Sequence, residues 1–304
     1  MYSKKATISV LGVTMMLLPT LFGGSILAQE NSSNHWTAEC RKYEDRDSQL
    51  FCDNFIGNTL YKDQTSKADW YRFADGNRPA SFYDNTGDGL RLRVSGAKST
   101  DYSNAEVSLT KLYLDNANLL FGENTRADIR MKFSPNMQAD GANAGTAKGT
   151  AGFLFWNYYQ GTKDPVKGQF DPVRDAFGFT WASDTAPGLI TFKAVGGVTT
   201  ISPVTQLLPG FNMNIYHTYS VVRTHNAIKF LIDGKKIDGL AVNVAGGLQL
   251  DPSHKLTADF WADNASYFFR ADGTIYSTFS TTTADQWIKA EYVKVTQIDG
   301  DNRD

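Results

Sequence analysis

The sequence predicts an all-β protein built as a two-sheet antiparallel β-sandwich. Short runs alternate between apolar and polar residues, as half-buried strands do, and turn residues separate them. Glycine occurs 26 times, aromatic residues make up 13% of the chain, and no long stretch has the apolar period of a helix. The number and spacing of the short strands favour two packed antiparallel sheets.

The first strands of this sandwich alternate with a clear phase. In residues 90–94 and 126–133 the apolar residues occupy every second position, which is typical of strands with one wet face. Residues 106–114 alternate again, with a slip in phase that suggests a bulge. Residues 151–156 are almost continuously apolar and are predicted to be buried on both faces.

The later strands are predicted in the same way, and loops separate them. They cover residues 175–181, 189–194, 216–223, 227–232, 255–263 and 287–297. Asp233 and Gly234 form a tight hairpin turn that needs a left-handed backbone at the glycine. Residues 140–150 and 157–174 are rich in glycine, asparagine, proline or mixed charge and are predicted to be loops.

Residues 1–28 have the pattern of a secretory signal peptide. A basic start precedes an apolar run over residues 6–22, and small residues lead to Ala28. The alternative is an uncleaved membrane anchor, but Pro19 interrupts the run, which is short for a spanning helix. We expect cleavage after Ala28 and a mature chain that has no membrane span and is secreted, in the periplasm or in the extracellular space.

The mature chain is expected to form one domain with short flanking segments. Residues 29–50 are an N-terminal extension, residues 51–299 the β-sandwich domain, and residues 300–304 a tail, because large all-β domains reach this size without splitting. Cys40 and Cys52 are the only cysteines. Their even number and an oxidising compartment favour one disulfide that holds the extension against the domain.

The distribution of charge argues against a nucleic-acid partner. The formal net charge is −2, and lysine and arginine are mixed with aspartate and glutamate throughout. No basic face of the kind that binds a phosphate backbone is predicted. The four histidines are scattered, and neither they nor the cysteines complete a zinc motif, so no cofactor follows from the residue spacing.

Seven segments, in their order along the chain, resemble the laminarinase and lichenase group, glycoside hydrolase family 16, within the concanavalin-like jelly rolls. They are FIGNTL at 55–60, DGLRL at 88–92, RADIRMK at 126–132, TAGFLFW at 150–156, YHTYSV at 216–221, IKFLIDGK at 228–235 and YVKV at 292–295. Together they span most of the mature chain. The resemblance implies a curved, glucanase-like sandwich whose concave sheet binds a polysaccharide or another glycan.

The resemblance also locates the strand that would carry catalysis. In this family one concave strand has three acidic residues at alternate positions: a nucleophile, a supporting aspartate and an acid/base. Alternate residues share a face, and a retaining mechanism needs two carboxyl groups roughly 5 Å apart. The matching strand here is residues 175–181.

This strand lacks the expected carboxyl groups. If Phe177 and Phe179 face the core, the three acidic positions are Ala176, Gly178 and Thr180, none of which transfers a proton or attacks an anomeric carbon. In the alternative register Asp175 faces the cleft together with the two phenylalanines, which retains one carboxylate at most. The sequence leaves the register open.

The strand over residues 255–263 offers a second set of polar residues. Thr257, Asp259, Trp261 and Asp263 share one face of it. If that face lines the cleft, the two carboxylates and the indole ring form a sugar-binding site without catalysis. Alternatively the aspartates are merely solvated. A third possibility is a relocated acid pair formed by Asp175 and Asp259.

Other residues extend the candidate site. Trp156 and Trp181 are candidates for stacking on a sugar, whereas Trp287 is expected to pack in the core near the last strand. The resemblance further implies a structural calcium ion on the convex side, with Asp53 and Asp299 as candidate ligands.

These observations lead to three hypotheses. The first is a secreted carbohydrate-binding protein with a glucanase-like jelly roll that has lost hydrolysis. The second is an active glycoside hydrolase or lyase with displaced carboxylates, for which Asp175 and Asp259 are the catalytic candidates. The third is a structural or adhesion protein whose groove is filled by its own side chains.

Overall fold

The computed structural model describes Cys40 and residues 48–55, 60–61, 70–72, 80–85, 87–109, 120–138, 146–156, 175–183, 188–195, 198–204, 208, 210–225, 227–237, 242–243, 255–269 and 275–299. All of these residues belong to the unit that spans residues 32–304. Apart from a single turn of 3-10 helix at Pro135–Met137 and the helical residues Cys40 and Val204, their regular structure is β-strand, as the sequence predicts. Among them no helix is long and apolar enough to cross a membrane.

The described residues form nineteen strands. The first ten are β1 (Gln49–Asp53), β2 (Leu60–Tyr61), β3 (Trp70–Arg72), β4 (Ser81–Asn85), β5 (Leu90–Val94), β6 (Asn104–Ser108), β7 (Thr125–Phe133), β8 (Thr150–Trp156), β9 (Ala176–Ala182) and β10 (Gly188–Val195). The others are β11 (Val198–Pro203), β12 (His217–Arg223), β13 (Ala227–Ile232), β14 (Lys235–Lys236), β15 (Val242–Asn243), β16 (Thr257–Asp263), β17 (Ala265–Phe269), β18 (Ile275–Phe279) and β19 (Gln286–Gln297).

Most of the predicted strands are confirmed, with ends that shift by at most two residues. The predicted strand over residues 106–114 begins earlier, at Asn104, and β6 ends at Ser108; residues 110–114 lie outside the described residues. The predicted loop over residues 157–174 also lies outside them. The hairpin turn is confirmed, because Asp233 and Gly234 both have positive φ angles, 51° and 75°.

The strands assemble into two large antiparallel sheets, which confirms the predicted sandwich. In the nine-stranded sheet the order is β14-β13-β12-β7-β19-β5-β4, with β1 paired to β19 and β15 paired to β13. In the eight-stranded sheet it is β11-β10-β9-β8-β16-β6-β3-β2. A separate hairpin, β17 and β18, was not predicted.

The core lies between the two sheets and is rich in aromatic residues. Phe179 of the eight-stranded sheet packs against Tyr219 and Phe230 of the nine-stranded sheet, with ring centroids 5.1 and 5.5 Å apart. Phe260 packs on Phe55 and Trp70 at 5.6 and 5.5 Å. All six rings are essentially inaccessible to solvent. Large buried rings contribute most of the hydrophobic stabilisation, so these contacts fix how the sheets face each other.

The N-terminal strand β1 is anchored to the core through Asp53. Its Oδ2 atom accepts a hydrogen bond from Nε1 of the buried Trp70 at 2.7 Å, and its Oδ1 atom accepts one from the Phe55 backbone N–H at 2.7 Å. The predicted disulfide between Cys40 and Cys52 is present beside it, with Cα atoms 5.5 Å apart. The carboxylate therefore satisfies two donors that water does not reach.

The substitution Asp53→Asn is expected to lower the free energy of unfolding by about 1–3 kcal/mol. An amide presents one acceptor and one donor group, so either Trp70 Nε1 or the Phe55 N–H loses its partner in a buried position. Urea denaturation measures the change, with Asp299→Asn at an exposed position as the control. Equal stability of Asp53→Asn and the wild type would contradict this role.

Candidate functional site

The core contacts of β9 determine which of its residues face the candidate cleft. Phe177 and Phe179 are fully buried between the sheets. Because successive residues of a strand point to opposite faces, Ala176, Gly178 and Thr180 face away from the core. This is the first of the two registers that the sequence allows.

The register corrects two expectations about this strand. Trp181 lies on the same side as Phe179, in the core and only 3% exposed, so it does not line the cleft. Asp175 precedes β9 and is also buried. Asp175 alternates in step with Phe177 and Phe179, whose side chains face the core. The second register, in which these three residues face the cleft, is therefore wrong.

The face of the eight-stranded sheet that points away from the core is here called the site face. Its residues alternate with core residues on the four central strands β9, β8, β16 and β6. They are Ala176, Gly178, Thr180, Thr150, Gly152, Leu154, Trp156, Thr257, Asp259, Trp261, Asp263, Asn104, Glu106 and Ser108.

On β16 the predicted alternation is confirmed, but its polar residues are not solvated. Leu256, Ala258, Phe260 and Ala262 are in the core, so Thr257, Asp259, Trp261 and Asp263 lie on the site face. Both aspartates are fully buried. The alternative in which they are merely solvated is therefore wrong.

Asp263 and Trp261 hold the strands of this face together. Asp263 Oδ1 accepts hydrogen bonds from the Thr150 hydroxyl at 2.8 Å and from the Thr150 and Ala265 backbone N–H groups at 3.0 and 3.1 Å. Trp261 Nε1 donates to Thr150 Oγ1 at 2.9 Å. These contacts link β16 to β8 and β17, so both side chains have a structural task beyond any contact with a ligand.

Asp259 is in a different situation, because it is fully buried and the side chains that act on its carboxyl group are Glu106 and Ser108. Its strand partners are Leu154 on β8 and Ser108 on β6, and Glu106 lies diagonally across from it on the same face. Burial, and then the negative charge and hydrogen bonding of Glu106, raises the pKa of Asp259 well above its ordinary value. The pair therefore favours one neutral and one ionised carboxyl group.

Sequence analysis missed Glu106 as a partner of Asp259. Glu106 accepts a short hydrogen bond from Asn104 Nδ2 and is 6% exposed. The proposed partner Asp175 is not brought to Asp259: Asp259 is level with Leu154 and Gly178, and β8 separates β16 from β9. Two strand spacings, about 9.6 Å, thus lie between the two backbones. The alternation of β6 showed which face Glu106 occupies, but only strand pairing shows its neighbour.

The centre of the site face is closed by Leu154. A Cβ atom at Gly178 would lie 1.9 Å from the Phe153 carbonyl oxygen and 2.9 Å from both the Leu154 Cα and Cδ2 atoms. Gly178 stands at the middle acidic position of the resemblance. A carboxylate side chain at this position would require the β8 backbone to move.

The site face is more accessible at the end where Trp156 lies. Trp156 is level with Ala176 on β9 and Thr257 on β16, and it is partly exposed. Among the described residues of these four central strands it is the side chain of this face most open to solvent. The Thr180 hydroxyl, by contrast, is buried, with no hydrogen-bond partner in the described chain.

The candidate calcium ligands do not converge. Asp53 is level with Val293, inside β19, whereas Asp299 lies beyond the C-terminal end of that strand, six residues further along the chain. The two oxygens of Asp53 accept hydrogen bonds from Trp70 and Phe55. No group of three or more His, Cys, Asp or Glu residues in the described part of the chain is placed to hold a metal ion. These residues do not fit the expected calcium site.

Comparison with known proteins supports the fold. No family model and no curated protein matches the sequence. Solved structures match over most of the chain: one from work on endo-acting O-glycanases of the human gut microbiota that initiate mucin breakdown has a TM-score of 0.53 and 16% identity, and covers 83% of this chain and 100% of its own.

Two mycobacterial structures match similarly. Rv0315 of Mycobacterium tuberculosis, described as an immunostimulatory antigen and pseudo β-1,3-glucanase, has a TM-score of 0.50 and 15% identity, and covers 83% of this chain and 99% of its own. A glycosyl hydrolase family 16 protein of Mycobacterium smegmatis has a TM-score of 0.50 and 12% identity, and the match covers 82% of this chain and 100% of its own. At such identities these likenesses show the fold alone, which is the glucanase-like jelly roll that the resemblance implies.

The substitution Gly178→Ala is expected to lower the free energy of unfolding by about 1–3 kcal/mol, because the added methyl group overlaps the β8 backbone. Gly122→Ala is the matched control, since a Cβ atom there meets nothing within 4 Å. Thermal or urea denaturation compares the two. Similar stabilities for both variants would show that β8 and β9 are not in close contact at Gly178.

The pH dependence of stability should report the raised pKa of Asp259. The folded chain keeps a proton that the unfolded chain loses near its ordinary pKa of about 3.9. The contribution of Asp259 is therefore most favourable below that pH and declines as pH rises towards the folded pKa. Asp259→Asn removes this titration, so its stability relative to the wild type should increase with pH.

Urea denaturation of both proteins between pH 4 and 8 measures this difference, with Asp299→Asn as the exposed control. A difference between Asp259→Asn and the wild type that stays constant with pH would mean that Asp259 is ionised in the folded protein throughout.

Proposed function

We propose that this protein is an exported, carbohydrate-binding jelly roll that does not hydrolyse glycans by the double displacement of glycoside hydrolase family 16. One observation carries the proposal: the site-face positions of β9 are Ala176, Gly178 and Thr180. The side chains at these positions are a methyl group, a hydrogen atom and a hydroxyl group. Enzymes of glycoside hydrolase family 16 have the nucleophile, the supporting aspartate and the acid/base there. Two carboxyl groups are required on opposite sides of the glycosidic bond, and this strand supplies none.

The packing around Gly178 supports the same conclusion. Leu154 occupies the space above Gly178, so the backbone has adapted to the absence of a side chain there. Restoring the three acidic residues would thus place one of them against β8. We expect the triple substitution Ala176→Glu, Gly178→Asp, Thr180→Glu to disturb folding rather than to create a hydrolase.

A glycan would enter over Trp156. An indole ring offers a flat apolar surface to the C–H face of a sugar, and buried hydroxyl and carboxyl groups beside it offer hydrogen bonds. Further along the same face the Thr180 hydroxyl has no hydrogen-bond partner in the described chain, as ligand-binding groups often lack one before a ligand arrives. The three structural neighbours named above are described as a glycanase, a pseudo-glucanase and a glycosyl hydrolase, which agrees with a carbohydrate ligand.

Export agrees with the rest of the proposal. Residues 1–28 have the signal-peptide pattern, and the Cys40–Cys52 disulfide suits an oxidising compartment. Polysaccharides and glycoproteins are abundant outside the cytoplasm.

Hydrolysis by a displaced acid pair is the second candidate, and Asp259 with Glu106 now replaces Asp175 in it. A neutral carboxyl beside an ionised one resembles the acid and base of a glycosidase. However, Asp259 is fully buried and Glu106 nearly so. A glycosidic oxygen cannot approach Asp259 in this arrangement, and binding is therefore the better supported function.

Binding is tested by isothermal titration calorimetry against neutral β-glucans, agar oligosaccharides and mucin O-glycans. We expect one of these to bind and Trp156→Ala to weaken it roughly tenfold, which corresponds to about 1.4 kcal/mol. Leu50→Ala removes an exposed apolar side chain on the other sheet and should leave this binding unchanged. No binding to any member of the panel would overturn the proposal in favour of a structural or adhesion role.

The same panel separates binding from hydrolysis. Reducing-end release from wild-type protein that disappears in Asp259→Asn and in Glu106→Gln would establish the displaced acid pair. We expect no release above that of a catalyst-free blank.

A further inference from the structure

The outer face of the nine-stranded sheet carries an unusual row of positive charges. Lys132 on β7, Lys289 on β19 and Arg91 on β5 are consecutive cross-strand partners. Each lies between core residues on its own strand, so all three point away from the core. Like charges directly opposite each other on a sheet are destabilising. Three in succession are therefore costly for folding, which suggests that they serve binding.

The next row of the same sheet alternates aromatic and cationic side chains. Trp287 on β19, Arg93 on β5 and Phe82 on β4 are again consecutive partners. The Arg93 guanidinium lies 4.1 Å from the centroid of the Phe82 ring, and Phe82 is 39% exposed. Trp287 is partly exposed on this outer face, which corrects the expectation that it packs in the core. The two rows together are called the basic–aromatic patch.

A third ring and a buried carboxyl group complete the surroundings of the patch. The Tyr216 ring centroid lies 4.5 Å from Lys132 Nζ and 5.7 Å from Arg130 Cζ. Glu291, at the bulge in β19, accepts a hydrogen bond from Arg130 Nε at 2.6 Å. Burial nevertheless raises the pKa of Glu291 to about 7, so near neutral pH it offsets only part of the positive charge.

The carboxylates that accompany the patch leave cations available to a ligand. Asp88 pairs with Lys289 at 2.7 Å, and Asp84 pairs with Arg91 at 2.9 Å. Asp84 also pairs with Arg93 at 3.4 Å, and Asp285 pairs with Arg93 at 3.2 Å. The side chains of these three aspartates are 29–55% exposed, and exposed ion pairs are individually weak, so an incoming anion can compete with them. Lys132 has no carboxylate within ion-pair distance in the described chain. Burial, and then the Lys289 ammonium group, lowers the pKa of Lys132, and the negative charges of Glu291 and Asp88 oppose this shift.

We propose that the basic–aromatic patch binds an anionic saccharide, one that carries sulfate or uronic acid carboxylate groups. The Lys132–Lys289–Arg91 row would hold the anionic groups, with arginine suited to bidentate contacts. The rings of Phe82 and Trp287 would receive the apolar faces of the sugars. Four adjacent strands carry the patch, which makes it about 14 Å wide, the scale of a short oligosaccharide.

A saccharide fits this patch better than a nucleic acid or a membrane. The chain as a whole has a net charge of −2, so it lacks the broad positive field that draws polyanions irrespective of their chemistry. The cations of the patch instead lie beside aromatic rings on a rigid sheet. Rings beside cations suit a ligand with both an apolar and a charged side, which a sulfated or acidic sugar has.

The test uses the mature chain and two matched probes, a heparin hexasaccharide and a neutral cellohexaose, in titrations at low salt. We expect the heparin probe to bind and the neutral probe not to bind at this patch. Lys132→Gln and Arg91→Gln should each weaken heparin binding roughly tenfold, and Phe82→Ala several-fold. Lys236→Gln, an exposed lysine on β14 at the edge of the same sheet, is the control and should bind as the wild type does.

Two results would overturn the assignment. The first is heparin binding that Lys132→Gln, Arg91→Gln and Phe82→Ala leave unchanged, or no heparin binding at all. The second is equal affinity for heparin, single-stranded DNA and phosphatidylserine vesicles with the same loss in each variant, since the patch would then recognise charge alone. Trp156, on which the proposed binding of a neutral glycan depends, lies on the other sheet. The two proposals can therefore succeed or fail separately.

Discussion

The packing of aromatic rings between the two sheets is the constraint on which the rest of the structure depends. Phe177 and Phe179 are buried against the nine-stranded sheet, and a strand can present only alternate residues to one side. Once these rings are inside, Ala176, Gly178 and Thr180 must be outside. Moving β9 by one residue would expose two phenylalanines, a loss of several kcal/mol at about 1.5–3 kcal/mol for each ring. The core thus sets the register that places Ala176, Gly178 and Thr180, and no carboxyl group, on the site face of β9.

The site face has been adapted to this arrangement rather than left as an empty cleft. Leu154 lies over Gly178, and Asp263 and Trp261 use their polar atoms to join β16 to β8. Asp259 and Glu106 remain as a carboxyl pair within a buried environment, which favours sharing of one proton. Such a pair is a costly feature to keep inside a sheet.

The two outer faces of the sandwich differ in chemistry although they are built by the same alternation. The site face combines buried carboxyl and hydroxyl groups with one accessible indole ring. The outer face of the nine-stranded sheet combines lysine and arginine with rings, and its carboxylates are paired to them. A ligand with hydroxyl groups alone suits the first face, whereas a ligand with negative charge suits the second. One jelly roll can thereby offer separate surfaces to different parts of a glycan.

Features that depend on neighbours along the chain were predictable from the sequence. The alternation of apolar and polar residues in 90–94, 126–133 and 255–263 predicted these strands and their two faces. The residues Asp233 and Gly234 predicted a hairpin turn. The disulfide was predicted because the chain has only two cysteines and a predicted signal peptide. The polar strands β4, β11, β17 and β18 were missed because they lack a clear apolar phase.

Features that depend on which strands pair could be settled only by the tertiary structure. Glu106 and Asp259 are far apart in sequence, as are Arg91, Lys132 and Lys289, and become neighbours through the order of strands in each sheet. Burial of Asp259 and exposure of Trp287 likewise depend on what covers each face. The period of a strand is a local property that side chains reveal by themselves. Which residue lies opposite a given residue on the neighbouring strand is set by long-range pairing. Both candidate binding surfaces consist of such pairs.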